Sequence, residues 1–316
     1  MKNRIFALFA AVILIVSSMN VSAKKTVADY FAEMEFPNPI EAIEQTPSFA
    51  IYKAETGETV LEKKSDKKIA PASLTKLVTA SVVLLNVSTD EIFTVGSEIE
   101  LIGHGSSVCG IKRGMELTVY DLLCGLLMRS GNDAAYTLAV NVARRDCDDE
   151  LDDKEAVDYF CGMMNRFLET LDIQNSHFCS PDGYDAEGQY TTVDDLAVIA
   201  SYAMGVETIS QITSCPKMVP PFEYEDVTVW HNSNFFMHPD FLLYNPNVRG
   251  MKTGSTNDAG KCLISIYEEN GEELIVIVSG CKTEGQRYMS SQQLMTSYYL
   301  SQNFDILTYS MLGMIN

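Results

Sequence analysis

The spacing of hydrophobic residues changes repeatedly along the chain, and each change marks a different kind of element. Phe49, Ile51 and Val60 flank Gly57, which predicts a β-hairpin of Ser48–Ala54 with Thr59–Lys63. From Leu74 to Leu85 the segment is apolar almost all round. A helix with no polar face is a central, buried one. Between Leu117 and about Ala203 the spacing is helical, as in Leu122, Leu123, Leu126, Leu127 and again Tyr159, Met163, Phe167, Leu168. The loop Ser180-Pro181-Asp182-Gly183-Tyr184 interrupts it. After Val248 the pattern returns to strands, Lys261–Tyr267 and Leu274–Cys281, joined through Glu269-Asn270-Gly271. Asn-Gly is a strong hairpin signal. An amphipathic segment, Arg287–Tyr299, closes the pattern as a helix. This order predicts an α/β fold of the α+β type: one antiparallel β-sheet built from both chain ends, flanked by helices, with a helical region inserted.

The start of the chain follows a different logic. Met1-Lys2-Asn3-Arg4 precedes an unbroken apolar run from Ile5 to Val16, and Val21-Ser22-Ala23 ends the segment. A basic start, a short apolar middle and an Ala-ended site predict a secretory signal peptide over residues 1–23. The run is too short to span a bilayer, which takes roughly 20 residues. Residues 24–47 are largely polar, with Pro37 and Pro39, and are read as an N-terminal leader. The remainder, 48–316, is read as one catalytic domain without a separate C-terminal β domain. The tail Leu307–Asn316 is too short to cross a membrane, so no strong membrane anchor is expected.

Composition narrows the partners. The chain has 316 residues, 46% of them hydrophobic, enough for a substantial core. Its net charge is −20, and removing Lys2 and Arg4 with the signal peptide takes this to −22. With no extended basic tract, nucleic acid and anionic lipid are not expected partners. Eight cysteines in an exported chain could form up to four disulfides, or remain buried thiols; their spacing fixes no pairing. None lies in a C-x-x-C pair, and His104, His177, His231 and His238 show no ligand spacing, so no metal or other cofactor is expected.

Three short patterns carry chemistry: Ser73-Leu-Thr-Lys76, Ser130-Gly-Asn132 and Lys252-Thr-Gly254. Alone, the first two are unspecific. Ser-x-x-Lys recurs at Ser22, Ser65, Ser214 and Ser279, and Ser-x-Asn at Ser18, Ser255 and Ser301, whereas Lys-Thr-Gly occurs once. Context selects among them. Ser73 follows Pro71-Ala72 and opens the buried helix, which puts its hydroxyl near free backbone N–H groups. Lys76 falls on the same helix face. A lysine entering an apolar helix is costly unless paired or neutral, and a neutral amine there can activate the hydroxyl. Ser130 and Asn132 occupy a turn between helical stretches; taken alone they would be a helix cap. Lys252, Thr253 and Gly254 begin a strand, where a glycine lets a ligand backbone approach closely.

Together, Pro71-Ala-Ser-Leu-Thr-Lys76, Ser130-Gly-Asn-Asp-Ala134 and Gly250-Met-Lys-Thr-Gly254 resemble the signatures of the serine D-alanyl-D-alanine carboxypeptidases, the low-molecular-mass penicillin-binding proteins. Asn165 to Gly183, Gly188-Gln-Tyr-Thr-Thr192 and Asp195-Leu-Ala extend the likeness over roughly 45–303. The resemblance implies a β-lactamase/transpeptidase-like fold and removal of the terminal D-alanine from peptidoglycan pentapeptides ending in D-Ala-D-Ala. β-Lactam antibiotics would act as covalent inhibitors, and the site would lie outside the cytoplasm, in the periplasm or cell wall. It further implies Ser73 as the acylated nucleophile, Lys76 as its base and Ser130 as the proton relay. Asn132 would hold the substrate amide, Lys252, Thr253 and Arg287 the terminal carboxylate, and the N–H groups of Ser73 and Ser255 the oxyanion. Two rivals share the nucleophile or the fold. A class A β-lactamase needs a water-activating carboxylate, for which Glu169 is the nearest candidate, without the expected following Asn. A catalytically silent sensor module would not need the full motif set.

Overall fold

Five strands form one antiparallel sheet in the order β2-β1-β9-β8-β7: β1 Ser48–Lys53, β2 Thr59–Lys63, β7 Val248–Thr256, β8 Gly260–Glu269 and β9 Glu272–Cys281. The first hairpin comes from the N-terminal part of the chain and the other three strands from the C-terminal part, as the hydrophobic pattern predicts. The structure is a computed structural model that describes residues 34–147, 150–222 and 229–313, with side chains to residue 300. The predicted signal peptide lies outside the described residues. Asn270 and Gly271, both at positive φ, make the tight turn between β8 and β9.

Both faces of the sheet are buried, and strict alternation explains how. Phe49 and Ile51 of β1, with Leu274, Val276 and Val278 of β9, face a C-terminal helix and pack on Tyr288, Leu294 and Met295. The intervening Ala50, Tyr52, Ile275 and Ile277 face the inserted helices. That inserted region runs through α2 Lys76–Asn86, α3 Val119–Met128, α4 Asn132–Asp146, α5 Asp153–Thr170, α6 Val193–Gly205 and α7 Glu207–Ser214. Helix α2 is buried over its first two turns and passes through the middle of this group. Thr118 and Asp152 start α3 and α5 with reciprocal capping boxes. Two-residue or three-residue strands pair β3 Ile92–Thr94 with β4 Glu116–Thr118, and β5 Lys217–Met218 with β6 Trp230–His231.

Two boundaries differ from the reading of the sequence. Within the stretch read as a leader, Pro39–Gln45 forms a short helix, α1, capped by the Asn38 side chain. Its Ala42 is fully buried, and Thr46 bonds Ser290 through their hydroxyls at 2.8 Å, so this segment is part of the fold. A proline at the first helical turn and an Asn cap favour that start. The last helix, α8, runs from Glu284 to Gly313, longer than Arg287–Tyr299. Among the described residues, no helix is long and apolar enough to cross a membrane.

Candidate active site

Ser73 sits in a single 3-10 turn, Ala72–Thr75, that leads into α2. The α-helix proper therefore starts at Lys76 and not at Ser73. Pro71 and the positive φ of Ala72, 48°, account for the tighter turn. The helix that follows is held from outside: the Thr79 hydroxyl donates to the Pro181 carbonyl at 2.6 Å, tying α2 to the loop read as Ser180–Tyr184. A glycine, Gly254, faces Ala72 and Ser73 across the gap to β7; a Cβ on it would come within 3.1 Å of the Ala72 methyl. That close approach brings the sheet edge up to the serine.

Lys76 is fully buried. Its Nζ donates to Asn132 Oδ1 at 2.8 Å and to the Asp182 carbonyl at 2.7 Å, and lies 2.8 Å from Ser73 Oγ. The first two partners can only accept, so they fix two N–H directions. Asn132 is oriented by its own Nδ2, which donates to Ser106 Oγ at 2.8 Å. The remaining direction points at Ser73 Oγ: it carries an N–H in the ammonium and the lone pair in the neutral amine. Burial pushes Lys76 down to about 8, against the opposing pull of the Asp182 and Asp133 carboxylates.

A second group forms around Lys252, on β7. This lysine is also buried; its Nζ donates to Ser130 Oγ at 2.9 Å and to the Thr253 carbonyl at 2.9 Å. Burial, then the neighbouring Lys76 and Arg287, hold it well below the usual lysine value. Ser130 reaches this position from the turn between α3 and α4, where it adopts a positive φ of 57°. Thr253 shares a 2.7 Å hydroxyl contact with Ser233.

Arg287 is placed differently from the expectation that it faces a carboxylate. Its guanidinium is buried behind β7, where Nη1 donates to the Gly254 carbonyl at 3.1 Å, Ser255 Oγ at 3.3 Å and the Cys262 carbonyl at 3.3 Å. Its Nη2 pairs with Glu284, one helical turn earlier on α8. It reaches the cleft through Ser255, which is exposed, and like Ser130, Lys252 and Thr253 it lies behind the residues that line the cleft. A position one turn into a helix is legible in sequence, but the strand it packs behind is not.

In front of Ser73 lies a cleft of 290 Å³. Ser73, Asn132 and Ser255 line it together with the segments His104–Ser107, Asp182–Asp185 and Ser255–Asn257. The segment 104–107 and the carboxylates Asp182 and Asp185 were not singled out in the sequence, because loops without periodicity give no address in space. The D-G-Y loop was visible as a break between helices and as the end of the Asn165–Gly183 stretch of the family resemblance, with no role assigned to it. Glu169, weighed as a water-activating group, is exposed on α5 and is not among the cleft residues.

Comparison with known proteins identifies the family and the fold. The family model for D-alanyl-D-alanine carboxypeptidases, peptidase S11, matches residues 38–283. D-alanyl-D-alanine carboxypeptidase DacC of Escherichia coli K12 is 32% identical over 254 residues, covering 76% of this chain and 58% of that protein. DacF of Bacillus subtilis 168 is 25% identical, over 81% of this chain and 63% of its own length. The chain thus spans about three-fifths of the curated relatives it matches. Among solved structures, the Streptomyces K15 DD-transpeptidase superposes with a TM-score of 0.70 at 27% identity, covering 79% of this chain and 95% of that one. Penicillin-binding protein 6B of Escherichia coli gives 0.68 at 28% identity, covering 79% and 76%. A family model matching most of the chain, on a fold that brings Ser73, Lys76 and Asn132 together, places this protein in the D-alanyl-D-alanine carboxypeptidase family.

Proposed function

We propose that this protein is an exported serine D-alanyl-D-alanine carboxypeptidase that removes the terminal D-alanine from peptidoglycan stem peptides through an acyl-enzyme on Ser73. The observation that carries the proposal is the aim of Lys76: with two acceptors occupied, its third direction meets Ser73 Oγ at 2.8 Å. Neutral Lys76 takes the Ser73 proton as Oγ attacks the carbonyl of the penultimate D-alanine. The scissile C–N bond then breaks, and the leaving amine receives the proton that Lys76 took, relayed through Ser130, which Lys252 holds by hydrogen bond, so that Lys76 is neutral again. Water attacks the ester, Lys76 again accepts the proton, and Ser73 Oγ recovers one as it leaves. Lys252 and Thr253 are the proposed partners of the substrate's free carboxylate, with Arg287 supporting them by fixing Gly254 and Ser255. Backbone N–H groups of Ser73 and Ser255 are the proposed oxyanion donors.

On this reading β-lactams mimic the substrate and acylate Ser73, and residues 1–23 export the chain to the cell envelope. The test is release of free D-alanine from a synthetic peptide ending in D-Ala-D-Ala, followed by mass spectrometry. One alanine lost per peptide, abolished in Ser73→Ala, supports the proposal; an intact peptide contradicts it.

A further inference from the structure

Asp133 follows Asn132 at the first turn of α4, and neither the motif nor the proposed steps give it a task. It is buried, 3% exposed, and surrounded by backbone donors. Its Oδ2 accepts from the N–H groups of Cys109 at 3.2 Å, Gly110 at 2.9 Å and Ile111 at 3.2 Å. Its Oδ1 accepts from Cys109 N at 2.9 Å and from Ala134 N at 3.0 Å. Three consecutive N–H groups converging on one carboxylate are a backbone nest, a geometry that only an acceptor-only group satisfies in full. An amide in the same place would turn one oxygen into a donor facing donors.

The segment so gripped is the one that continues from the cleft wall. Ser107 O accepts from Asn132 N at 2.8 Å, and Ser106 Oγ accepts from Asn132 Nδ2 at 2.8 Å. Asn132 Oδ1 in turn receives Lys76 Nζ. Trp230 Nε1 donates to the Cys109 carbonyl at 3.0 Å, so Cys109 is held through both its N–H and its carbonyl. The intervening residue is also constrained: a Cβ on Gly131 would lie 2.7 Å from Asp133 Oδ1 and 3.1 Å from Cys109 N. Ser130, Gly131, Asn132 and Asp133 therefore operate as one unit, in which the last residue anchors the wall against which the third is oriented.

We propose that Asp133 is a positioning residue for the reaction: by binding the N–H groups of residues 109–111 it seats the cleft wall on Asn132 and so aims Lys76 at Ser73. The inference rests on the carboxypeptidase reading above. It also predicts an electrostatic effect, because Lys76 faces three ionisable groups: Asp133 from α4, Asp182 from the 180–184 loop and Lys252 from β7. Asp133 pulls Lys76 upward, so removing its charge lowers Lys76 further.

The experiment measures the second-order rate of Ser73 acylation by a fluorescent penicillin against pH, for the wild type and Asp133→Asn, with thermal melting as a check on folding. The expected result is a plateau rate lowered about 10-fold to 100-fold, the range for a displaced catalytic contact, together with a rising limb moved to lower pH. A purely structural loosening would lower the rate without moving the limb. A folded Asp133→Asn that acylates within twofold of wild type overturns the proposal, and so does a slower variant whose limb stays in place. Should Asp133→Asn fail to fold, Trp230→Phe decides. It releases the same segment by one hydrogen bond and keeps the charge, so the limb stays in place: slower acylation at an unchanged melting temperature supports the proposal, and an unchanged rate, or a slower one that only accompanies a lowered melting temperature, overturns it. Absence of acylation in the wild type is a separate result, which contradicts the carboxypeptidase reading itself.

Discussion

Raising the pH should switch the enzyme on through the buried amine of Lys76. An ordinary lysine near 10.5 is neutral at pH 7 in roughly one molecule in 3,000; a group at about 8 is neutral in about one in ten. Burial therefore raises the supply of neutral amine by a few hundredfold, worth at most about 3 kcal/mol of barrier, part of which the lower basicity of the amine gives back. The sign follows from the charge. The active form is the unprotonated one, so kcat/KM for D-alanine release should rise about tenfold per pH unit below 8 and level off above it. Lys252 is also pushed down, by burial and then by Lys76 and Arg287, so the two neighbouring amines share the transition. A bound carboxylate beside Lys252 draws the remaining proton to that lysine, which leaves Lys76 free to accept one. The assay follows kcat/KM from pH 6 to 9.5 and, in parallel, the rate of Ser73 acylation by penicillin. A profile that is flat over this range, or that falls, would refute Lys76 as the base.

Other expectations follow from the same geometry. Lys76→Arg keeps a positive charge that cannot be given up, and should be nearly inactive in D-alanine release. Amidating the peptide's terminal carboxylate should remove most of the activity toward it, read as a rise in KM and a fall in kcat, because charge-assisted bonds to Lys252 are lost. The penicilloyl ester should outlast the peptidyl ester by a wide margin in single-turnover measurements. The leaving nitrogen of a β-lactam stays tethered to the acyl group and obstructs water, whereas D-alanine diffuses away. Leu77→Ala, in the fully buried turn after Lys76, should lower unfolding free energy by about 2–5 kcal/mol in denaturant titration.

The sequence made some of this site easy to find and left other parts out of reach. The three motifs were legible because each sits at the edge of an element whose hydrophobic pattern is strong: the buried α2, the α3–α4 turn and strand β7. The fold class followed from the same periodicities. Ser73 was expected at the start of an α-helix, yet it lies in a 3-10 turn, because Pro71 and Ala72 delay the helical register. Arg287 was legible as a helix-start cation, but its burial behind β7 depends on tertiary packing. Asp133 reads as an ordinary acidic residue in a first helical turn, and only the folded 109–111 segment shows what it holds. The leader was misjudged at its end for a related reason: α1 has only seven residues, and its one fully buried residue, Ala42, carries little signal.

The central claim is that Ser73 is the acylated nucleophile, and mass spectrometry of the protein after reaction with penicillin tests it most directly. The account predicts one penicilloyl group per chain, on the peptide that contains Ser73, and no adduct in Ser73→Ala. An adduct mapping to Ser130 or Ser65, or labelling that survives the loss of Ser73, would contradict it.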